Sequence, residues 1–366
     1  MMNFIVFFRI KFFRASIQSI VDSYNNHITC ESACRRFTMA LSSSSSIVAN
    51  FDSLKKYFDL HNRTKDVQAH VSKVHSVDWN ADGRHLASGS FDRTVTLFSF
   101  SNDKLTKDHT LKGHTDSVDQ LCWHPINNEI LATASLDKTV RLWDARMAKC
   151  VATIDTPGEN LNISWSPNGH TIAVGNKEDI VTFIDVRSSK IRTQKEFKFE
   201  VNEITWNREN DLFFLTSGQG FVYILSYPNL EQLHVFTAHL ATCLCIEFDP
   251  TGKHFAVGSA DALVSIWDSN NLACLRTVSR LEWPCRALSF SYDGMLLASA
   301  SEDMFIDICH VDTGERIQAI PTESPTFTIA FHPQRYLLAY ACDDKDGHQR
   351  DAGTVKLFGF KSQENL

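Results

Sequence analysis

The sequence repeats one pattern seven times, and each copy carries an aromatic residue at the same point. Successive aromatic residues are 41 to 44 residues apart. A period of about 40 to 45 residues is typical of the four-stranded blades of a β-propeller. The chain is therefore predicted to form one blade from each copy, arranged around a common axis. The aromatic residues are Trp79, Trp123, Trp165, Trp206, Phe248, Phe290 and Phe331.

Each copy reads as a series of short strands joined by turns. Asn80–Gly83 follows the first aromatic residue and has turn chemistry, with a glycine to supply a positive φ. The next run, Leu86–Ser90, is small and apolar, which suits a strand that is buried on both faces. In another copy, Thr139–Asp144 alternates in polarity as a strand does. The pattern predicts an all-β fold.

Two copies resemble the signature of the WD-repeat family. In one of them, His114, Asp137 and Trp143 occupy the loop, turn and strand positions of that signature. In WD-repeat proteins these three residue types and a strand serine or threonine form a hydrogen-bonded set inside a blade. The resemblance implies such a set here, completed by the hydroxyl group of Ser135 or Thr133.

The resemblance assigns the same structural role to residues of other blades. His239, Asp261 and Trp267 form the second complete match to the signature. The turn acids Asp92 and Asp303 lie at the position of Asp261 in their own copies. These residues are therefore expected to stabilise blades and not to contact partners.

The repeats also set the expected domain boundaries. The resemblance implies a seven-bladed WD-repeat β-propeller over residues 61–362, with a short C-terminal tail at 363–366. Arg63–Gln68 is similar to the outermost strands of other copies. We expect it to complete the last blade, whose inner strands come from residues 327–360. That pairing would close the ring and leave no open sheet edge between the chain ends.

Residues 1–60 lie outside the repeat and are predicted to form a short disordered extension. The first 21 residues contain three basic residues and no acidic residue. That composition leaves a mitochondrial transit peptide or a poor secretory signal as alternatives. The preferred interpretation is that translation starts at Met39, just before the serine run at 42–46.

The charge of the chain favours protein partners over nucleic acid. The formal net charge is -7, and because residues 1–50 contribute +3, the remainder carries -10. Nucleic-acid affinity depends largely on lysine and arginine, so an acidic body is a poor match for a phosphate backbone. No stretch is long and apolar enough to span a bilayer, and no membrane contact is expected.

The sequence offers no catalytic or cofactor site. Walker, G-x-S-x-G and H-E-x-x-H motifs do not occur in it. Cys243 and Cys245 are two residues apart, but with no second pair nearby they are expected to pack in the core and not to bind metal. We predict no cofactor, no metal site and no enzymatic activity.

Three loops that connect successive blades lack the Gly-His pair of the repeat and are candidates for partner binding. The loop at 279–284 contains arginine and tryptophan, which are common hot-spot residues in interfaces. A polar insertion at 343–353 is a further candidate. The predicted binding residues are Arg280, Glu282, Trp283, Phe199, Glu323, Asp343, Asp344 and Asp346.

Several runs resemble more than a generic WD repeat. The segments at 116–125, 174–185, 197–203, 323–328 and 341–346 are similar to the WD-repeat subunits of the THO complex. The resemblance implies a nuclear, non-catalytic scaffold within the transcription-export assembly, coupling mRNA transcription and processing to nuclear export. Its implied partners are other THO subunits, with a DEAD-box RNA helicase and an mRNA export adaptor as neighbours and with mRNA reached indirectly. Two alternatives stay open: a substrate receptor or scaffold of a ubiquitin-ligase or chromatin complex, and a propeller that binds RNA directly.

Overall fold

A computed structural model of the chain describes residues 50–343 and 353–362. Among them, the strands form seven antiparallel sheets of four strands each. We number these sheets as blades 1 to 7 in the chain order of their innermost strands. The predicted seven-bladed all-β propeller is confirmed.

The first strand of the chain, β1 (Arg63–Gln68), is the outermost strand of blade 7. The other strands, from the innermost to the outermost of each blade, are β2 (Val74–Trp79), β3 (His85–Ser90), β4 (Thr94–Ser101) and β5 (Lys104–Lys112) in blade 1; β6 (Val118–Trp123), β7 (Ile130–Ser135), β8 (Thr139–Asp144) and β9 (Lys149–Asp155) in blade 2; and β10 (Asn160–Trp165), β11 (Thr171–Asn176), β12 (Ile180–Asp185) and β13 (Lys190–Glu196) in blade 3. The remaining strands are β14 (Val201–Trp206), β15 (Leu212–Ser217), β16 (Phe221–Ser226) and β17 (Gln232–Thr237) in blade 4; β18 (Cys243–Phe248), β19 (His254–Ser259), β20 (Val264–Asp268) and β21 (Cys274–Val278) in blade 5; β22 (Cys285–Phe290), β23 (Leu296–Ser301), β24 (Phe305–His310) and β25 (Arg316–Pro321) in blade 6; and β26 (Thr326–Phe331), β27 (Leu338–Cys342) and β28 (Thr354–Phe360) in blade 7.

The second strand of each blade consists of small and apolar residues because neighbouring blades pack closely on it. In β3, the five residues from Leu86 to Ser90 are all buried. A Cβ atom at Gly89 would lie 2.9 Å from Cγ1 of Val118 in the next blade. That separation is shorter than carbon–carbon contact, so a larger residue at this position would force Val118 to shift.

Two of the repeated aromatic residues, Trp123 and Trp165, hydrogen-bond their blade to the preceding one. The indole Nε1 of Trp123 donates to the carbonyl oxygen of Asp78 in the preceding blade at 3.0 Å. Trp165 does the same to Cys122, also at 3.0 Å. In addition, the hydroxyl of Ser76 accepts a hydrogen bond from the backbone of Leu121 in the next blade. The 41- to 44-residue spacing seen in the sequence thus reflects a contact that recurs between blades.

Strand β1 closes the ring as expected. It pairs with β28 antiparallel along its whole length, from Arg63 opposite Phe360 to Gln68 opposite Thr354. Beyond it, the backbone amides of Ala69 and His70 both donate to the carbonyl oxygen of Gly353 at 2.9 Å. The two ends of the propeller are therefore held in one sheet.

The structure corrects the C-terminal boundary of the extension that was predicted at residues 1–60. Residues 50–60 form a helix, α1, whereas residues 1–49 lie outside the described part of the chain. Leu54 and Phe58, one helical turn apart, are both buried. The Phe58 ring stacks on that of Phe358 in β28, with 6.0 Å between the centroids.

The propeller has two faces, which carry different loops. The upper face is made of the connections between blades, such as 113–117 and 279–284, and the turns between second and third strands, such as 91–93 and 302–304. The lower face is made of the other turns, such as 124–129 and 145–148. All the predicted partner-binding residues that the structure describes belong to the upper face.

Candidate partner-binding surface

Blade 2 contains the hydrogen-bonded set that the sequence indicated, and its hydroxyl group comes from Thr133. His114 Nδ1 lies 2.8 Å from Asp137 Oδ2, and its Nε2 lies 2.7 Å from Thr133 Oγ1. The indole of Trp143 donates to the same oxygen at 2.9 Å. Ser135, the other candidate, instead donates to the carbonyl oxygen of Asp116 and accepts from the amide of Asp137.

The turn aspartate of this set is held in its charged form. Burial alone would raise the pKa of Asp137, but hydrogen bonds from His114, Thr139 and the Thr115 amide outweigh it and hold that pKa below its usual value. Because a carboxylate only accepts, Nδ1 of His114 donates to Asp137, and the Thr133 hydroxyl group lies within hydrogen-bonding distance of both Nε2 of His114 and the Trp143 indole. The set links a loop, a turn and two strands without a free catalytic group.

Two further blades contain related sets, with a hydroxyl group from the third strand in blade 5 and without a tryptophan in blade 1; the sequence analysis identified Asp92 of blade 1 but not His70. In blade 5, His239 and Trp267 both bond to the hydroxyl of Ser265, at 2.8 and 2.7 Å. In blade 1, His70 lies 3.1 Å from Asp92 Oδ2 and 2.7 Å from the hydroxyl of Ser88. His70 precedes Asp92 by 22 residues, and His239 precedes Asp261 by the same number. This shared spacing could have identified His70 from the sequence.

Blade 6 is built differently, and this corrects the predicted role of Arg280. Its guanidinium group donates to both carboxylate oxygens of Asp307, at 2.6 to 3.1 Å, and to the carbonyl oxygen of Gly314 at 2.7 Å. The Asp307 side chain is fully buried and also accepts from Arg316 at 2.6 Å. Arg280 therefore ties blade 6 together, because a buried carboxylate needs cationic partners.

We expect Arg280→Ala to lower stability and to leave partner binding unchanged. Removing one cation leaves Asp307 with Arg316 alone, so the free energy of unfolding should fall by about 2 kcal/mol. Urea unfolding monitored by circular dichroism measures this change. Arg276→Ala, on the exposed outer strand β21, is the control and should change stability by less than about 0.5 kcal/mol. Equal stability of the two variants would contradict the structural role.

Asp303 supports the neighbouring loop and positions the predicted binding residues. Its Oδ2 atom accepts from the backbone amides of Glu282 and Trp283 at 3.0 and 3.2 Å. The side chain of Trp283 consequently projects outward, and 55% of the residue is exposed. Glu282 and Glu323 are also exposed. The loop is thus held by its backbone while its side chains stay available.

The other predicted binding residues are less available. The ring of Phe199 stacks on Tyr223, with 4.0 Å between the centroids, and is half-buried. Asp343 forms an ion pair with Lys73 at 2.8 Å. Asp344 and Asp346 lie outside the described residues. The structure therefore brings Glu282, Trp283 and Glu323 to the upper face as exposed groups and assigns Phe199 to packing.

The innermost strands surround a central channel with a volume of about 370 Å³, lined in part by the acidic residues Asp78, Asp119, Glu203 and Glu247. Burial raises the pKa of Asp78 and of Glu203 to about 7, and that of Glu247 to about 8. Asp78 and Glu247 accept hydrogen bonds from the backbone of the next blade, at Trp123 and Phe290. Within residues 50–343 and 353–362, no group of three His, Cys, Asp or Glu side chains is arranged to hold a metal ion.

These acids predict that the propeller is more stable at pH 6 than at pH 8. A raised pKa means that the folded chain binds more protons than the unfolded chain between pH ~4 and pH ~8. The contribution to stability is therefore present below pH ~4 and is lost as pH rises through the folded pKa values. Each pKa unit corresponds to about 1.4 kcal/mol, and since the effective dielectric constant of a protein moderates the interactions of buried charges, we expect a total loss of about 2 kcal/mol from pH 6 to 8.

Urea unfolding across this pH range tests the prediction. Glu247→Gln should remove part of the pH dependence and be more stable than the wild type at pH 8. Glu231→Gln, at an exposed position on the lower face, should leave the pH dependence as it is. A free energy of unfolding that rises between pH 6 and 8 would contradict the role of the channel acids.

No helix in the described part of the chain has the length and apolar character that crossing a membrane requires.

Comparison with known proteins identifies the family. The family model of the THOC3 beta-propeller domain matches residues 70–341. THO complex subunit 3 of Arabidopsis thaliana is 51% identical over 83% of this chain and 96% of its own length. WD repeat-containing protein AAC3 of Dictyostelium discoideum is 33% identical over 86% of this chain and 71% of its own length. Among solved structures, the beta-propeller domain of Cps50 (Swd1) from Myceliophteria thermophila superposes with a TM-score of 0.73. The superposition covers 82% of this chain and 100% of that chain, at 17% sequence identity. The two chains therefore share the fold. The chain belongs to the THOC3 β-propeller family.

Proposed function

We propose that this chain is a non-catalytic scaffold subunit of the THO part of the transcription-export complex. The observation that carries the proposal is the 51% identity to THO complex subunit 3 over nearly the whole length of that protein. The proposed partners are other THO subunits, bound in the nucleus. In this role the propeller is a rigid disc on which partners are held, and it couples mRNA processing to export without a reaction of its own.

The internal chemistry of the propeller supports a non-enzymatic role. Three of the histidines paired with aspartate, His70, His114 and His239, are buried in blades and bonded on both ring nitrogens. They therefore have no free nitrogen for proton transfer to a substrate.

We further propose that a DEAD-box RNA helicase and an mRNA export adaptor are neighbours in the assembly and that mRNA is reached through them. The acidic charge of the propeller supports indirect contact, since residues after position 50 carry a net charge of -10.

Affinity purification of the tagged chain from nuclear extract, with and without ribonuclease, tests the proposal. Mass spectrometry is expected to recover the other THO subunits in both samples at similar levels. Recovery that disappears after ribonuclease treatment would show tethering by RNA and contradict a protein scaffold. Recovery of ubiquitin-ligase or chromatin-complex subunits in place of THO subunits would overturn the proposal.

A further inference from the structure

Among the residues that the structure describes, the exposed large apolar side chains of the upper face lie between the loop that precedes blade 5 and the turn between the second and third strands of blade 1. We define the apolar arc as Val71 and Phe91 in blade 1, Leu240 before blade 5, and Trp283 and Met304 around blade 6. All five are exposed, Leu240 to 97%. Among the described residues, the upper loops of blades 2, 3 and 4 contain no exposed large apolar side chain.

This asymmetry indicates a binding role for the arc. Because all seven blades follow one repeat, an apolar residue needed for folding would recur at the same position of each blade. Leu240 and Val71 each follow the histidine of their hydrogen-bonded set, whereas Thr115 follows His114 in blade 2. Exposed apolar side chains gathered on one part of a surface are typical of protein interfaces.

A connected group of side chains joins the two ends of the arc across blade 7. The Phe327 ring lies between two cations, with Lys73 Nζ 4.1 Å and Arg286 Cζ 5.8 Å from its centroid. Lys73 pairs with Asp343 at 2.8 Å, and Arg286 pairs with Glu302 at 2.7 Å. These cations are thus neutralised within the propeller and are not available to bind an anionic ligand.

The acidic groups beside the arc are, by contrast, available to a ligand. Glu282 is adjacent to Trp283, and Glu323 precedes blade 7, between the two ends of the arc. Both residues are exposed, and neither side chain forms an ion pair with any residue that the structure describes. The arc therefore combines apolar contacts with unpaired negative charge.

We propose that the apolar arc binds a segment of a THO partner protein in which large apolar side chains are flanked by lysine or arginine. This inference rests on the proposed function and adds the surface and the chemistry of the segment. Apolar side chains of the segment bury Trp283, Leu240 and Phe91, and its basic residues pair with Glu282 and Glu323. A nucleic acid does not match this surface, because its phosphates would meet unpaired carboxylates.

Co-expression of the full-length chain with the other THO subunits tests the arc by mutation. The variant Leu240→Glu/Trp283→Glu places two charges in the arc. Ile126→Glu/Met147→Glu is the matched control on the lower face, where these residues are 68% and 59% exposed. For the first variant, we expect the amount of the chain in the purified complex to fall at least tenfold. For the second variant, we expect this amount to change less than twofold. The unfolding midpoints of both variants should equal that of the wild type. Retention of the first variant at the wild-type level, or loss of the control alone, would overturn the proposal.

Carbodiimide crosslinking of the purified complex tests the charge complementarity. The reagent joins a carboxylate to a lysine amine with loss of water, so Glu282 or Glu323 should be linked to a partner lysine that lies beside apolar residues. Glu282→Lys should weaken retention at least fivefold, whereas Glu231→Lys on the lower face should not change it. Crosslinks confined to the acids of blades 2 and 3 would contradict the assignment.

The outcomes separate this inference from the proposed function. If the wild-type chain does not assemble with THO subunits, the proposed function fails, and the inference with it. If the wild type assembles and the arc variant assembles equally well, only the inference fails. If the arc variant loses affinity for a single-stranded 20-nucleotide RNA and ribonuclease disrupts the wild-type complex, the arc binds RNA. In that case the proposal that it binds a protein segment is wrong.

Discussion

Deletion of residues 61–68 is expected to unfold the whole propeller and not one blade alone. The deletion removes β1, and with it six residues of antiparallel pairing to β28. The lost hydrogen bonds, together with the buried contacts of Val67 in the core between blades 7 and 1, are worth about 5 kcal/mol or more. Since single domains are stable by only about 5–15 kcal/mol, this loss removes most of the stability.

The effect extends beyond blade 7 because each blade is buried by its neighbours. The core cluster that contains Val74 and Leu86 of blade 1 also contains Ala339 and Leu357 of blade 7. An unpaired β28 would in addition present an open sheet edge, which favours aggregation.

Thermal and urea unfolding of the deletion variant measure this effect. We expect no cooperative transition, or one lowered by more than 15 °C. The control is a chain that begins at Met39 and retains β1, which should unfold as the full chain does. A deletion variant with the midpoint of the full chain would show that ring closure does not depend on β1.

Replacement of His114 by alanine is expected to produce a large loss of stability. The change leaves a cavity, removes the hydrogen bond to Asp137 and leaves the Asp137 carboxylate without its buried histidine partner. We expect the free energy of unfolding to fall by about 3–4 kcal/mol. His109→Ala, at an exposed position of β5, should change it by less than about 0.5 kcal/mol.

The pH dependence of the same pair has a defined direction. Because the pKa of Asp137 is held below its usual value in the folded chain, its contribution is present above pH ~4 and is lost as pH falls further. Urea unfolding at pH 7 and pH 3.5 should therefore show a smaller difference between wild type and Asp137→Asn at the lower pH. A difference that grows on acidification, or a His114→Ala variant within about 1 kcal/mol of the wild type, would contradict this account.

The sequence predicted the blades well because the structure repeats at the level of contacts. Each aromatic anchor stands at the end of the innermost strand of its blade, and two of them, Trp123 and Trp165, bond to the preceding blade, so the spacing of anchors is the spacing of blades. Strand β1 was predicted because its residues resemble those of other outer strands. The choice between Ser135 and Thr133 stayed open, because residues two apart in a strand share a face and only the register distinguishes them.

Other features depend on contacts that a sequence does not display. Arg280 sits in a loop next to Trp283, but its buried partner Asp307 lies in another strand 27 residues away. The channel acids are far apart in the chain and share an environment only when the ring closes. The apolar arc is likewise assembled from the upper loops of different blades, so only Trp283 was singled out beforehand.

Nuclear retention of polyadenylated RNA in cells that lack this chain tests the central claim most directly. In the proposed role, loss of the chain raises the nuclear fraction of this RNA, and the wild-type chain and the lower-face variant Ile126→Glu/Met147→Glu both restore its export. The arc variant Leu240→Glu/Trp283→Glu should be expressed at the same level and fail to restore it. An unchanged distribution of polyadenylated RNA after loss of the chain would contradict a role in mRNA export.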